Sequence, residues 1–357
     1  MSQNSLSTPI TIHDVARVSG FSVTTVSVAL SGNGRLSAQT RASVIQVAGE
    51  MGYEANQHAR GLRGQGSQEI GLFTLDLDLG VGTRKLQMVQ HQLGDMGYTV
   101  PIYAYGYRYQ HSANERAQEQ AKLVRALCRQ RPRAILCHAP SLLPPALKEL
   151  QRFQDDGGIL VCDCYGQPLD IECDQVIFDE SDNTYRAARH LLELGHREIG
   201  LFIVGKAQPE GPRLEGFARA LGEFGLTPDS RWMLSSPRSG DSEEDGVDAA
   251  RQFLALSERP SAMCIVNDQV AVAFCSEVQA AGVSIPGQLS VVGHDDRPIA
   301  RFGTVPLTSV SHPIGKVSDL LVSLLRQRIE QQSTDPPQHL WVRGELVERQ
   351  SCAAPTR

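Results

Sequence analysis

Residues 11–35 read T-I-H-D-V-A-R-V-S-G-F-S-V-T-T-V-S-V-A-L-S-G-N-G-R and contain two short helical patterns separated by a glycine. Ile12, Val15 and Ala16 recur at i, i+3 and i+4, which places them on one face of a first helix. Gly20 can adopt a positive φ at the end of that helix, where a residue with a Cβ is strained. The arrangement predicts a helix-turn-helix, and it makes DNA the leading partner.

The second helix follows directly, and its two faces differ in chemistry. Ser22 can accept from free backbone N–H groups and so cap this helix. Val26, Ala29 and Leu30 repeat the apolar spacing of a buried face. The side chains expected toward solvent are small hydroxyls and methyls: Val23, Thr24, Thr25, Ser27 and Val28. Such a surface suits a helix in a major groove, where hydroxyls reach base edges and methyls meet thymine.

A third helix, about residues 38–51, is expected to close the core of this domain. Its apolar side chains are Val44, Ile45, Val47, Ala48 and Met51. The alternative interpretation is an ordinary helical hairpin with no role on DNA, because a short motif alone carries a risk of false matches.

Further motifs extend over nearly the whole chain. Near the N-terminus they are T-I-H-D-V-A, V-T-T-V-S and G-Y-E-A-N-Q-H-A-R-G-L. Later they are A-A-R-H-L-L-E-L-G-H-R-E-I-G, R-L-E-G-F, N-D-Q-V-A, L-S-V-V-G-H-D-D, L-T-S-V and E-L-V-E-R-Q-S. In order and spacing, from Ile10 to Cys352, they resemble the LacI/GalR transcription regulators. The run S-V-T-T-V-S-V-A-L-S-G-N-G-R also resembles the maltose-regulon repressor branch, within the N-terminal part only.

The resemblance implies a DNA-binding headpiece over residues 9–55, a hinge helix and linker over 56–66, and a two-lobed core over 67–352. Leu62 would be an apolar wedge in a central base step of the minor groove, and simple linker packing is the alternative. Gly61 departs from the larger residue usual in the family. The implied DNA contacts are Thr11, Ser22, Val23, Thr24, Thr25, Ser27, Val28, Asn33, Arg35, Tyr53, Asn56, His58, Ala59 and Leu62.

Composition agrees with a regulator that works in the cytoplasm. The chain has 357 residues and a net charge of −6. Residues 1–66 contain five Arg, no Lys and three acids, so the headpiece is weakly positive and the remainder acidic. No apolar run reaches transmembrane length, no signal peptide is evident, and the eight cysteines form no disulfide pattern, which fits a reducing compartment.

From Ile70 onward, short apolar strands alternate with helical patterns, as in parallel βαβ units. The fold class predicted is α/β, with parallel sheets flanked by helices in two lobes similar to periplasmic binding proteins. The resemblance implies crossovers between the lobes near residues 166–174, 297–307 and 331–338. The candidate strands are Ile70–Leu75, Thr99–Tyr103, Ala134–Cys137, Ile159–Cys162, Gln175–Phe178, Ile199–Val204, Met263–Val266 and Leu289–Val292. Long helices are expected between the strands, for example Lys85–Met96, Glu115–Arg129, Thr184–Leu194 and Gly211–Phe224.

Ligands of open α/β sheets bind beyond the carboxyl ends of the strands. The polar residues that follow strands here, with Arg213 as a matching donor, are Asp76, His138, Asp163, Asn267, Asp268 and Asp295. Their groups can pair with sugar hydroxyls. Helix capping is the alternative for Asp163 and Asp268, and a structural turn for Asp295. The resemblance favours effector contacts for Arg213 and Asp268.

One segment departs from the family pattern. Members usually carry an Asn-Pro-aromatic segment after the first strand of the first lobe, whereas this chain has D-L-D-L-G-V-G-T-R-K. The next strand leads into Y-A-Y-G-Y-R-Y, whose tyrosines could stack on a ligand or lie on the surface. The family implies a sugar, a sugar derivative or a related metabolite as effector, but this departure leaves the effector unidentified and need not indicate a simple sugar.

The sequence favours a homodimeric transcription regulator, most simply a repressor, on a near-palindromic DNA operator. A carrier of the periplasmic type without a DNA role is the alternative, and an enzyme is disfavoured because no G-x-S-x-G, Walker loop or H-E-x-x-H occurs. No cofactor, metal or membrane partner is expected. Cys162, Cys164 and Cys173 lack zinc spacing, so buried free thiols are favoured there. The helix Lys85–Met96 is expected to pack in the core rather than at an interface.

Overall fold

The computed structural model describes residues 10–31, 36–53, 68–75, 80–106, 111–138, 142–204, 211–236 and 242–356. The chain divides into two compact units, Met1–Ser67 and Gln68–Arg357. Each unit has hydrophobic clusters of its own.

Unit 1 is a bundle of three helices, α1 (Ile12–Ser19), α2 (Val23–Ser31) and α3 (Ala38–Glu50). A capping box of Thr11 and Asp14 starts α1, and Gly20 ends it with φ 73°. The capping box satisfies backbone N–H groups at the start of α1 that have no partner inside the helix. The predicted helix-turn-helix and its glycine turn are therefore confirmed. The buried core of the unit consists of Val15, Ala16, Val26, Ala29, Val44 and Ala48.

The prediction that Ile45 joins this core is wrong. Its side chain is 51% exposed, whereas Val44 is fully buried. Val44, Val47, Ala48 and Met51 recur at helical spacing on the side that contacts α1 and α2. Ile45 lies about 100° further round the helix and faces away.

Unit 2 has two lobes, and lobe 1 is built on a six-stranded sheet in the order β11-β5-β4-β3-β1-β2. All of its strand pairs are parallel. The strands are β1 (Ile70–Thr74), β2 (Ile102–Ala104), β3 (Ala134–His138), β4 (Ile159–Tyr165), β5 (Asp174–Phe178) and β11 (His339–Val342). The helices are α4 (Val81–Asp95), α5 (Ala113–Arg129), α6 (Pro144–Asp155) and α12 (Ile314–Ile329).

Helices cover both faces of this sheet, so its strands are apolar on both sides. Leu72 and Leu136 pack toward α4 and α12. Phe73 and Ile135, the chain neighbours of these two leucines, pack toward α5 and α6. The alternation follows from the two-residue period of a strand.

Lobe 2 has a second six-stranded sheet, in the order β12-β10-β9-β8-β6-β7. Its pairs are parallel except that β12 runs antiparallel to β10. The strands are β6 (Ile199–Val204), β7 (Met233–Ser236), β8 (Ala262–Ile265), β9 (Ser290–Asp295), β10 (Thr308–Ser311) and β12 (Leu346–Val347). The helices are α7 (Glu180–Glu193), α8 (Pro212–Glu223), α9 (Glu243–Ala255), α10 (Asp268–Ala280) and the single-turn α11 (Ile299–Phe302).

Three short crossovers join the lobes: residue 179, residues 312–313 and residues 343–345. The first and third are bonded to each other, because Arg343 Nε donates to Asp179 Oδ2 at 3.1 Å. All three predicted positions are therefore wrong. Residues 166–174 connect β4 to β5 and residues 331–338 connect α12 to β11, both within lobe 1. Residues 297–307 connect β9 to β10 within lobe 2.

The α/β class and the two parallel-sheet lobes are confirmed. All eight candidate strands correspond to strands of the structure, with some shifted ends, but β7, β10, β11 and β12 were not predicted. The missed strands all have only two to four residues, although β2 and β8, which are as short, were predicted. Segments of that length show too few residues for an alternating pattern to stand out.

Candidate functional sites

The start of α2 is the candidate surface for DNA. Ser22 Oγ accepts from Thr25 N at 3.1 Å, which confirms that Ser22 caps this helix, and it lies 2.8 Å from Thr25 Oγ1. Thr24 is exposed, while Ser27 and Val28 are half-buried. The first turn has no acidic residue, so the positive end of the helix dipole is not neutralised there.

Besides Ser22, three of the predicted DNA contacts have structural roles. Val23 is half-buried and packs against the core of unit 1, so it does not simply face solvent as predicted. Thr11 forms the capping box of α1. Tyr53 is half-buried against the same core. The remaining predicted contacts lie outside the described residues: Asn33, Arg35, Asn56, His58, Ala59 and Leu62.

In unit 2, residues that follow strands of both lobes line one cavity of about 330 Å³. Lobe 1 contributes the start of α4, Gly80, Val81 and Arg84. Lobe 2 contributes the end of β9 and the turn after it, 295–298. His312, in the second crossover, also lines the cavity. The cleft is thus at the carboxyl ends of the strands, where α/β folds bind ligands.

A buried ion pair lies at the same edge of the lobe 1 sheet. Lys85 Nζ is 2.5 Å from Asp163 Oδ2, and both side chains are at most 2% exposed. His138 Nδ1 is 2.6 Å from the same oxygen, and Lys85 Nζ donates to the hydroxyl of Tyr165 at 2.9 Å. An ionised carboxylate only accepts hydrogen bonds, so Nδ1 of His138 carries the proton. The other oxygen, Asp163 Oδ1, is buried with no partner among the described residues.

The charges of this cluster follow from its burial. Burial alone would raise the pKa of Asp163, but Lys85 and then His138 outweigh it and hold that pKa below its ordinary value. Burial lowers the pKa of His138, and the attraction of Asp163 offsets only part of that effect. Asp163 is therefore ionised and His138 neutral at pH 7, so the cluster pairs one cation with one anion.

His312 is the most unusual polar residue of the cleft. Its side chain is fully buried, yet neither ring nitrogen has a hydrogen-bond partner among the described residues. The ring stacks on Phe178 with centroids 3.9 Å apart, and Tyr165 lies 5.7 Å away. Burial lowers its pKa well below the ordinary value, so the ring is neutral at pH 7. An unpaired buried imidazole is costly, which indicates a place for a polar ligand group.

Arg213 and Asp268, the two residues favoured as effector contacts, are bonded within lobe 2 and are not among the residues that line this cavity. Arg213 donates to Glu180 Oε1 at 2.6 Å and to the carbonyl of Val266 at 2.7 Å. Asp268 accepts from Ser309 Oγ at 2.7 Å and from the backbone N–H of Arg297 at 2.6 Å. Burial, and next the charge of Asp295, raise the pKa of Asp268 well above its ordinary value. Asp268 therefore braces the turn after β9 instead of pointing an unpaired carboxylate into the cleft.

Asn267 caps α10, with its side-chain oxygen accepting from Val270 N at 2.9 Å. Capping therefore belongs to Asn267 and not to Asp268, the residue for which it was considered. Asp295 lies in the cavity wall and has φ 92°, so the turn expected there is also present. Asp163 lies within β4 and caps no helix. Asp76 lies outside the described residues.

Sequence reasoning missed Lys85, Tyr165 and His312. A signal for Lys85 was available, because it stands between Val81 and Val89 at four-residue spacing on the buried face of α4. A lysine within an apolar helical stripe is expected to have a buried partner. The other apolar residues of that helix, Leu86, Val89 and Leu93, pack against α12, which confirms the predicted core packing.

The tyrosine segment contributes less to the cleft than its sequence suggested. Tyr103 and Tyr105 pack against the core of lobe 1 beside α5, and Tyr105 donates to Glu119 at 3.0 Å. Residues 76–79 and 107–110, which hold the rest of the departing segments, lie outside the described residues.

The described residues also bear on other classes of function. No group of three His, Cys, Asp or Glu side chains within those residues is arranged to hold a metal ion. Cys162 and Cys173 are buried free thiols with their sulfur atoms 3.5 Å apart. Over the same part of the chain, no helix combines the length and apolar character needed to cross a membrane.

Comparison with known proteins gives the family. The profile described as bacterial regulatory proteins, lacI family, matches residues 11–56, and that of the periplasmic binding protein-like domain matches residues 188–352. The transcriptional regulator GalS of Salmonella typhimurium is 30% identical over 326 residues, covering 89% of this chain and 89% of that protein. The chain belongs to the lacI family of bacterial regulatory proteins.

Other members of the family agree along the full length. The transcriptional repressor PurR of Proteus mirabilis is 29% identical over 346 residues, covering 96% of this chain and 97% of that protein. The crystal structure of the lac repressor dimer bound to operator and the anti-inducer ONPF has the same fold, with a TM-score of 0.81 and 24% identity. It covers 97% of this chain and 100% of that chain.

Family membership confirms that the chain is a DNA-binding transcription regulator with an effector-binding core. The relatives named above are regulators and not enzymes. The specific resemblance of the headpiece to maltose-regulon repressors stays a prediction.

Proposed function

We propose that this regulator is a repressor that binds a near-palindromic operator as a homodimer and releases or binds it according to a small polar effector. The observation that carries the proposal is the hydroxyl-rich, acid-free start of α2 within an intact three-helix unit. A carrier protein without a DNA role has no use for such a unit. The named relative PurR is a repressor, which favours repression over activation.

The DNA-reading roles follow from position on α2 and from side-chain chemistry, since Thr24 is exposed while Ser27 and Val28 are half-buried. Thr24, Thr25 and Ser27 would contact base edges, and Val28 would meet a thymine methyl group. Val23, packed partly into the core, would fix the position of α2 more than it reads DNA. The weak positive charge of the N-terminal residues predicts modest non-specific affinity and a shallow dependence on salt.

Effector control would operate through the cleft and the three crossovers. The unpaired atoms of His312 and Asp163 can be satisfied by ligand hydroxyl groups, as in a sugar or sugar derivative. His312 and the Asp179–Arg343 pair lie in the crossovers, so a ligand that bonds both walls would change the angle between the lobes. That movement would make or break the pairing of hinge segments, with Leu62 as the wedge in DNA.

Other parts of the proposal rest on the same role. The protein acts in the cytoplasm because its DNA target lies there. It carries out no catalysis, and the family role needs no cofactor. A homodimer presents two copies of α2 to two half-sites, which matches a near-palindrome.

The decisive experiment is selection of bound duplexes from a random DNA library by the full-length protein at two salt concentrations. Enrichment of a near-palindrome is expected. If nothing is enriched, the selection is repeated with a metabolite extract, because a co-repressor would then be needed. Absence of enrichment in both cases would refute the proposal.

The register of α2 on DNA is tested by Val28→Arg. Arginine pairs bidentately with guanine, so the variant should prefer a changed base at one position in each half-site, with discrimination of about 1–3 kcal/mol. Lys122→Met, an exposed change in lobe 1, is the control and should select the original site. An unchanged preference for Val28→Arg would exclude the proposed register.

A further inference from the structure

We infer that the effector of this protein carries an oxyanion, a phosphate or a carboxylate group, which binds at the start of α4 between Arg84 and Arg297. The inference rests on the proposed effector control and specifies the chemistry of its ligand. It comes from the charges around the cavity, which differ from those of the buried ion pairs described above.

Two arginines line the cavity from opposite lobes. Arg84 lies in the first turn of α4 and Arg297 in the turn after β9. Among the described residues, neither guanidinium has a hydrogen-bond or ion-pair partner, although most arginines of this chain do. Guanidinium groups bind phosphate and carboxylate through paired N–H donors.

Helix α4 adds a partial positive charge at the same place. It is 15 residues long, and its first turn contains no acidic residue. Gly80 precedes it with φ 45°, and a Cβ there would lie 2.6 Å from the central guanidinium carbon of Arg297. Glycine therefore lets Arg297 approach the free N–H groups of the helix start, where anions are stabilised.

A buried polar group independently indicates that a ligand completes the site. His312, which lines the same cavity, is fully buried and has two unpaired ring nitrogens. A neutral imidazole offers one N–H donor and one acceptor, so an ester or hydroxyl oxygen of the same ligand can use it. The cavity of about 330 Å³ has room for a small metabolite.

The carboxylates of the cavity do not cancel the positive charge. Asp296 is bonded to Arg349 and lies 3.8 Å from Arg301. Asp295, the other acid in the wall, has an oxygen 4.0 Å from His312 Nδ1. With Asp296 paired to Arg349, the two arginines Arg84 and Arg297 outnumber the one other carboxylate of the lining, Asp295, so the pocket keeps a net positive charge.

The test titrates the full-length protein with inorganic phosphate, glucose 6-phosphate, gluconate and glucose at constant ionic strength, with binding measured by calorimetry. The variant Arg84→Gln/Arg297→Gln removes both guanidinium groups. The control Arg129→Gln/Arg251→Gln removes the same charge from exposed sites, one in each lobe. Retained thermal unfolding without ligand shows that both variants fold.

We expect the wild-type protein to bind at least one oxyanion probe saturably and with higher affinity than glucose. The cavity variant should bind it about a hundredfold more weakly, since each charged hydrogen-bonding group contributes about tenfold or more, and the control should stay within about twofold. Binding of phosphate probes alone identifies a phosphate ester, and binding of gluconate alone identifies an acid.

Three results would overturn the inference: no saturable binding of any oxyanion, equal losses in both variants, or equal affinity for glucose and glucose 6-phosphate. DNA selection on the same preparation separates the two proposals. An enriched operator without oxyanion binding would refute only the oxyanion. Oxyanion binding with no enriched DNA under any condition would refute only the repressor function.

Discussion

Replacement of Lys85 by methionine tests whether the buried ion pair of lobe 1 holds the cleft together. The ammonium group of Lys85 is 2.5 Å from Asp163 Oδ2, and both side chains are at most 2% exposed. Methionine fills a similar volume without the charge. In the variant, His138 is the one remaining described side chain that donates to Asp163.

The size of the effect follows from the asymmetry of buried ion pairs. Removing one partner leaves an uncompensated buried charge, which costs about 3–5 kcal/mol, whereas removing both charges is often neutral. Lys85→Met should therefore lower the free energy of unfolding by that amount. Lys85→Met/Asp163→Asn should lose less than Lys85→Met alone, because asparagine can still accept from His138 and carries no charge.

The pH dependence has a definite sign. In the wild type, the pKa of Asp163 is lowered in the folded state, mainly because the attraction of Lys85 and His138 exceeds the effect of burial. Its contribution is therefore present above the unfolded value of 3.8 and lost as pH falls below it. Without Lys85, burial raises that folded pKa. The deficit of the variant should then shrink as pH falls from 7 toward 5.

Unfolding of the full-length protein in urea is the assay, with fluorescence of Trp341 in lobe 1 and Trp232 in lobe 2 as reporters. The exposed change Lys122→Met is the control and should shift stability by less than about 0.5 kcal/mol. If Lys85→Met has the same free energy of unfolding as the wild type at pH 7, the reasoning is refuted. It is also refuted if the double variant loses as much free energy of unfolding as Lys85→Met and Asp163→Asn lose together.

Gly216→Ala should destabilise the protein by at least about 1–3 kcal/mol, because its Cβ would lie 1.9 Å from the carbonyl oxygen of Ser181. Gly222→Ala, exposed in the same helix with open space around it, should be neutral or stabilising in thermal unfolding. Burial raises the pKa of Cys128 to about 11, so its labelling by a thiol reagent should be slow at pH 7 and accelerate toward pH 10. Leu62→Ala should lose specific operator affinity in anisotropy titrations while a salt-sensitive non-specific component remains; unchanged specific affinity would exclude the wedge.

Local patterns in the sequence were enough to predict the architecture and eight of the strands, but not β7, β10, β11 and β12. Helical spacing placed Val15, Val26 and Val44 in the core of unit 1, and Gly20 marked the turn. The alternation of strands and helices predicted parallel sheets, because each βαβ crossover returns the chain to the same edge. Polar residues after strands located the edge of the cleft, since those ends meet in an α/β fold.

The sequence did not determine which sheet each strand joins or which charges pair. The first crossover was misplaced because β5 pairs with the preceding strand β4 instead of starting lobe 2, and the last because β11 pairs with β5, far away in sequence; no local signal marks either choice. The partners of Arg213 and Asp163 were equally invisible, since Glu180 and Lys85 are far from them along the chain. Propensity and periodicity act between neighbours, so the sequence alone determined the three helices of unit 1, the longer strands and the fold class. Only tertiary packing decided which side chains met in the cleft, because desolvation and pairing of charges depend on contacts that form after the sheets assemble.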